Sequence, residues 1–350
     1  MDPDLARQEC QNYALSPLRI ALDLLVCVLV VGSFIPQIIR IAVTDRSSDA
    51  GISGWYMVLL TLSATSHLAT VLGTLFTKGP MVCVREGYLR GWQAFSALGM
   101  VVQSILHWAY AMALLAVYLH FRHVRRNGSS AGYVLVQDDD DAHPHYPVGI
   151  VCPGPDTLPL DGLIAGDQQQ TVLSSPAIYG SGTSSPSNRV ILAVVITHAA
   201  ITLPFPIYIF LAKLPLAFSD DITPLLAAQV YYIVLAFAGF FTSVTAVIPQ
   251  IHLMVSRSRS GLDLDLGNLS VYGTGLQCLA LFALGASQWV KFAVFDPTDG
   301  HSAGPGDWFW TWFRYSGASP VGYLVLGLGQ LVVFCVALWG IGTGREGLHW

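Results

Sequence analysis

The sequence predicts an all-α integral membrane protein, with seven transmembrane helices arranged as two parallel three-helix repeats joined by a linker helix. Three observations predict it. Of 350 residues, 11% are charged and 53% are hydrophobic, whereas a soluble domain carries roughly 25% charged residues because its surface must face water. Seven apolar runs are each long enough to cross a membrane. The tetrapeptide Ile-Pro-Gln-Ile occurs twice, at 35–38 and at 248–251. A mean hydropathy of +0.55 agrees with the first observation. The net charge of −5, with no basic block, gives no reason to expect a nucleic-acid partner.

The runs cover 18–43, 55–76, 92–121, 190–211, 225–255, 269–295 and 318–341. A span needs about 20 apolar residues. Each run must be helical, because an unpaired backbone group in lipid is too costly; a β-barrel would instead read as alternating segments of roughly ten residues. Residues 1–16 are polar and carry both charge signs, without the positive stretch, short apolar core and cleavage site of a removable leader, so the first run is expected to be retained. Residues 122–189 are different in composition. They hold Asp138-Asp139-Asp140-Asp141, several prolines, Gln168-Gln169-Gln170 and a Ser/Gly-rich stretch at 181–187. Such a segment cannot bury apolar area and is expected to be a disordered loop. The organisation is therefore an N-terminal segment 1–17, a first repeat 18–121, the loop 122–189, a linker span 190–213, a second repeat 225–342 and a tail 343–350.

Arg122, Arg125 and Arg126 directly follow the third run, where the positive-inside effect acts most strongly. This favours a lumenal amino terminus and a cytosolic carboxyl terminus. The sequons Asn127-Gly128-Ser129 and Asn268-Leu269-Ser270 then fall in the cytosol and are expected to be unmodified. The cysteines, Cys10, Cys27, Cys83, Cys152, Cys278 and Cys335, form no Cys-x-x-Cys or Cys/His cluster, so neither structural zinc nor another cofactor is expected. Cys27, Cys152, Cys278 and Cys335 read as ordinary small residues. Cys10 and Cys83 share a side of the membrane, which leaves a disulfide open, but free thiols are the preferred reading.

The two motifs are 213 residues apart, and at that offset Arg46 matches Arg259, Ser47 matches Ser260 and Gly54 matches Gly267. They lie in the first and fifth runs, four crossings apart, so both point the same way. A three-helix unit repeated directly would be inverted; the fourth run restores the direction. Parallel repeats about an axis along the membrane normal are a transporter plan.

Pro36 and Pro249 each remove a backbone donor. Each is either a hinge for rocking or a proline tolerated without motion. Gln37 and Gln250 can bond the freed carbonyls, bridge helices or line a gate. Asp23 is the only acid within any run; it is a candidate for proton or substrate work, or reaches the head groups from its place near the run's start. His67, His107 and His198 titrate near physiological pH and can carry protons, or are hydrogen-bonded packing residues. Gln103, Gln277, Gln288 and Tyr272 are further candidates for a polar central pocket. The aromatics Trp308, Phe309, Trp310, Trp312, Phe313 and Tyr315 predict an interfacial helix. No paired carboxylates, nucleophile–base pair, phosphate loop or metal cluster lies within the runs, so no enzymatic activity is expected.

Two Pro-Gln motifs in the first and fifth spans of a seven-span chain resemble the PQ-loop repeat family. That family includes cystinosin, the vacuolar and lysosomal cationic amino-acid exporters and relatives of the SWEET sugar transporters. The resemblance covers the membrane part and not the 122–189 loop. It implies a secondary transporter of a small polar solute, an amino acid foremost, in a vacuolar or lysosomal endomembrane. Protons would be the coupling ion and rocking would occur about Pro36 and Pro249. It also implies that the sixth span, with Tyr272 and Gln277, lines the pathway. The alternatives are a SWEET-like sugar facilitator and a non-transporting protein of lipid balance or sorting. Two features depart from relatives. Tyr272 stands where cystinosin-like members carry an acid near the start of the sixth span. Ser63-Ala64-Thr65-Ser66-His67 replaces the acid and Asn of the exporters' second span. Tyr133-Val134-Leu135-Val136 resembles a tyrosine-based sorting signal, which would make sorting adaptors partners.

Overall fold

The interior of this protein holds polar side chains beside an apolar core, and large apolar side chains also cover its outside, which a soluble fold avoids. Asp23, Gln37, Ser63, His67, Gln103, His107, Gln250 and Gln288 are buried, while Leu22, Leu25, Ile39, Ile196, Phe241 and Trp339 are exposed. The arrangement suits lipid as the solvent, since each outward apolar group is at home there and each inward polar group must find a partner.

In this computed structural model the described residues are 10, 17–43, 52–76, 83–84, 86–130, 186–211, 222–259, 269–294 and 318–343. Among them the regular structure is helical: α1 (Pro17–Val43), α2 (Gly54–Phe76), α3 (Trp92–Ala97), α4 (Gly99–Ser130), α5 (Asn188–Thr202), α6 (Pro204–Leu211), α7 (Ile222–Ala246), α8 (Ile248–Arg259), α9 (Val271–Val294) and α10 (Ala318–Thr343). Among the described residues six segments are long and apolar enough to cross a membrane: Pro17–Val43, Gly54–Gly73, Gly99–Val124, Asn188–Tyr208, Val230–Ser256 and Ser319–Gly340. The protein is an integral membrane protein whose described residues form no regular structure other than helix. All these spans belong to one compact unit, Met1–Arg126 with Ser185–Trp350; of the other, Asn127–Ser184, only the end of α4 is described. The Tyr133 motif, the 138–141 acidic run, Asn268 of the second sequon and the 308–315 aromatics lie outside the described residues.

The long helices pack side by side in the order α1, α9, α10, α7, α2, with α5 and α6 against α2. α2 is the central helix: 78% of its spanning window is buried. It can be central because Thr61, Thr65 and Thr70 return their hydroxyls to carbonyls one turn back, Met57, Thr61 and Ser66, each at 2.8 Å, so the polar face needs no water. α9 is as long as a span but less apolar, since it carries Gln277, Ser287 and Gln288.

Three of the expected runs are interrupted, each for a local reason. At Leu203 the chain breaks between α5 and α6. Pro206 removes the amide that would bond the Thr202 carbonyl, and the Tyr231 hydroxyl replaces it, donating to Thr202 O at 2.8 Å and to Ile201 O at 2.9 Å. At Val247 the chain breaks between α7 and α8. Pro249 cannot bond the Thr245 carbonyl, and the helix restarts with Gln250 N and Ile251 N donating to Val247 O at 3.1 and 3.0 Å. The turn at Leu98, between α3 and α4, keeps its bonds to Ala94 and Val102 and is a minor kink. α4 also continues past the expected end at 121 to Ser130, because Arg122, His123, Arg125 and Arg126 all tolerate helix. Arg122 turns back from α4 to donate to Pro186 O at 2.7 Å, just before α5.

The structure corrects the free-thiol reading of Cys10 and Cys83, which form a disulfide with a Cα–Cα distance of 5.5 Å. Composition carries no sign of such a bond because its partners are 73 residues apart. Around it Leu89 and Ala97 are buried in a small satellite core with Val84 and Tyr88. The turn that delivers Cys83 to this core uses Gly87 and Gly91 at φ 79° and 54°, a conformation that strains other residues. Replacing both cysteines by serine is expected to lower stability by about 2 kcal/mol, the low end for a long loop, because α1 and α2 inside that loop stay helical in lipid. Thermal unfolding in detergent, with and without reductant, measures it; reductant should shift only the wild type.

Candidate functional site

A polar seam crosses the middle of the bundle and joins side chains from seven of its helices. It begins on α1 at Asp23, which is 3% exposed. Gln103 Nε2 on α4 and the Ser287 hydroxyl on α9 both donate to Asp23 Oδ1, at 3.0 and 3.1 Å. One residue on along each helix, Gln288 Nε2 donates to Ser104 Oγ at 3.2 Å, and Ser319 Oγ on α10 donates to Gln288 Oε1 at 3.1 Å. The Tyr323 hydroxyl reaches the same Ser104 oxygen at 3.3 Å. Tyr323 then links the seam to two imidazoles. Its ring centroid lies 4.7 Å from that of His67 on α2 and 5.3 Å from that of His107 on α4.

On the far side of Tyr323 the seam continues through hydroxyls. Ser243 on α7 donates to Gly239 O at 2.7 Å. Its single proton is thereby used, so it accepts from the Ser63 hydroxyl at 2.7 Å and from His67 Nε2–H at 3.0 Å. The network thus assigns the His67 proton to Nε2. Ser66 contacts His198 Nε2 on α5 at 3.0 Å. The His67 ring has room because its neighbour on α10 is Gly322, and Gly239 packs close to it on α7. A Cβ on Gly322 would overlap the ring, and a Cβ on Gly239 would stand 3.4 Å from it. His107 is 1% exposed and, among the described residues, both its ring nitrogens lack a hydrogen-bond partner, a costly state for a buried polar group. Phe34 of α1 stands on its other flank, with ring centroids 5.9 Å apart.

Asp23, Gln103, His67 and His107 therefore converge, with His198 and Gln288 at the margins. Gln277 is buried, with its Nε2 donor unpartnered, but stands ten residues before Ser287 on α9, about 15 Å along the axis. Tyr272 is 72% exposed and shares the outer face of α9 with Leu276 and Leu279. The seam's hydroxyls and the two glycines are what reading the sequence missed. The one available signal was the recurrence of Ser and Gly at helical spacing within apolar runs.

The motif glutamines sit apart from this seam and make a reciprocal pair of bonds. Gln37 Oε1 accepts from the backbone N–H of Ser270, immediately before α9, at 2.8 Å. Gln250 Oε1 accepts from the N–H of Ser53, immediately before α2, at 2.9 Å. Each motif thus caps the helix that follows the other motif. Both glutamines are buried. Ser270 is itself a cap, its hydroxyl accepting from Gly273 N at 3.0 Å. Beside Pro36 an open, apolar groove of about 600 Å³ runs along Ile35, Ile39 and Val43 to Arg40.

The fold and its seam define a class: a helical membrane protein with a hydrogen-bonding, carboxylate-containing interior. Compared with family models, curated proteins and solved structures, the chain finds no match.

Proposed function

We propose that this protein is a secondary transporter of the PQ-loop kind, moving a small polar solute across an endomembrane by alternating access. In this reading α9 is the seventh span, its polar residues sheltered between α1 and α10. α1, α2 and α4 form one repeat, α7–α8, α9 and α10 form the other, and α5–α6 is the linker. The observation that carries the reading is where the seam lies: Asp23 and Gln103 of one repeat bond Ser287 of the other, and His67 of the first bonds Ser243 of the second. Intramembrane ionisable groups at such a junction are functional candidates by default. The crossed bonds of Gln37 and Gln250 support the repeat, since two parallel halves about one axis would exchange equivalent contacts. The Cys10–Cys83 bond supports a lumenal amino terminus, because disulfides persist on the oxidising side of a membrane. An amino acid remains the leading solute and the proton the leading coupling ion.

One observation favours a second reading. Among the described residues of the seam there is no Lys or Arg to meet a solute carboxylate, whereas neutral donors and aromatic faces abound. That suits an uncharged polyhydroxy solute moved without protons.

Proteoliposome uptake of labelled amino acids and sugars, with and without an inward proton gradient, separates the two. Gradient-stimulated amino-acid uptake that Asp23→Asn abolishes supports the coupled transporter. Sugar equilibration indifferent to pH and to Asp23→Asn supports the facilitator. Transport of neither by well-folded protein removes both.

A further inference from the structure

The two halves carry the same tetrapeptide but not the same backbone. α1 runs unbroken through Pro36, while the chain breaks at Val247, two residues before Pro249. The difference lies in the preceding turns. Thr242 returns its hydroxyl to Ala238 O at 2.7 Å, Ser243 to Gly239 O at 2.7 Å and Thr245 to Phe241 O at 2.8 Å. Hydroxyls that back-bond in this way bend helices, and Pro249 then withholds a donor from Thr245 O. In α1 the turn before Pro36 holds one such bond, Ser33 to Val30 O at 2.8 Å.

This weakened stretch is also what joins α7 and α8 to α2. Gly239, Ser243, Val247 and Gln250 fall at spacings of four, four and three, one face of a helix. Along that face Gly239 abuts Ser66 and His67, Ser243 bonds Ser63 and His67, and Gln250 bonds Ser53. The break falls between the last two links. α8 can therefore leave α2 while α7 stays attached. The corresponding link in the other half, Gln37 to Ser270, is borne on a continuous helix.

We propose that α8 is a one-sided gate: it pivots about Val247 and carries Gln250 off Ser53, while Ser243 holds Ser63 and His67 and the α1–α9 contact stays closed. The seam then opens at the motif end along α2 only. The proposal rests on the transporter reading for its purpose, but its test needs no solute. Leu60, buried on α2, and Gln277, buried on α9, each lie seven residues beyond the serine amide that a motif glutamine holds. Single cysteines at these sites, with Cys27, Cys152, Cys278 and Cys335 replaced by serine and the Cys10–Cys83 bond kept, are treated in oriented vesicles with a membrane-impermeant maleimide from the motif side.

The expected result is slow labelling of Leu60→Cys and protection of Gln277→Cys. Gln250→Ala should speed the Leu60→Cys reaction about fivefold, the weight of one hydrogen bond. Pro249→Ala, which mends the helix, should slow it; Pro36→Ala and Gln37→Ala should leave it unchanged. Monodisperse elution and a cooperative unfolding transition well above the labelling temperature qualify each variant. Equal labelling at both sites, responding alike to both prolines, would mean symmetric rocking and overturn the gate. Protection of Leu60→Cys even in Gln250→Ala overturns it too. Asymmetric labelling without transport of any solute leaves the gate and removes the transporter reading; transport with symmetric labelling does the reverse.

Discussion

Gly322→Ala is expected to destabilise this protein by about 1 to 3 kcal/mol through overpacking, even though alanine improves intrinsic helix propensity by roughly 1 kcal/mol. The new Cβ would occupy the space of the His67 ring. That ring cannot easily step aside. Ser243 holds its Nε2, Tyr323 covers one face and Gly239 closes the approach from α7. The same argument predicts suppression. His67→Ala alone loses the ring contact and the Ser243 bond, but combined with Gly322→Ala it vacates the overlapped space. The double variant should therefore be more stable than the two losses summed, with a coupling of about 0.5 to 3 kcal/mol, as for residues in direct contact. Thermal unfolding of the four proteins in one detergent measures the cycle. Simple additivity would show that the His67 ring does not occupy this notch.

The motif glutamines should show the next largest effect. Gln37→Ala leaves the Ser270 amide without its acceptor, and Gln250→Ala does the same to Ser53. An orphaned amide in a part-buried site costs about 1 to 3 kcal/mol. Glutamate at either position keeps an oxygen acceptor, and places it at the amino end of a helix where negative charge is favoured. Gln37→Glu and Gln250→Glu should accordingly unfold closer to wild type than the alanine variants do. A glutamine that acted chiefly as a donor would reverse this order, with glutamate no better than alanine.

Much of the candidate site could be named from sequence, but little of its wiring. Asp23, His67, Gln103 and His107 stand out because a titratable or amide side chain in an apolar run has few reasons to be there. Their partners do not stand out. Ser104, Ser243 and Ser287 are small residues that any membrane helix accepts, and Gly322 declares its role only once the His67 ring lies against it. Tyr272 was a pathway candidate only through a resemblance, and the turn of α9 carries it outward with Leu276 and Leu279. The crossed glutamine bonds were hidden by a length difference: Ser53 follows Gln37 by 16 residues and Ser270 follows Gln250 by 20, so the fixed offset of 213 does not align them.

By itself the sequence determined the solvent and the helical character of the membrane part. Long uncharged runs admit only helices in lipid, because every backbone polar group must be satisfied within its own segment. The duplicated Ile-Pro-Gln-Ile is likewise legible in the sequence. What needed the tertiary structure were relations between residues far apart in the chain. These are the bridge from Cys10 to Cys83, the bonds from Gln37 to Ser270 and from Gln250 to Ser53, the notch around His67, and the break beside one proline but not its twin. Identical tetrapeptides behave differently because a helix's continuity depends on the hydroxyls in the preceding turns and on the packing that holds each side, and packing is a property of neighbours that sequence adjacency does not record.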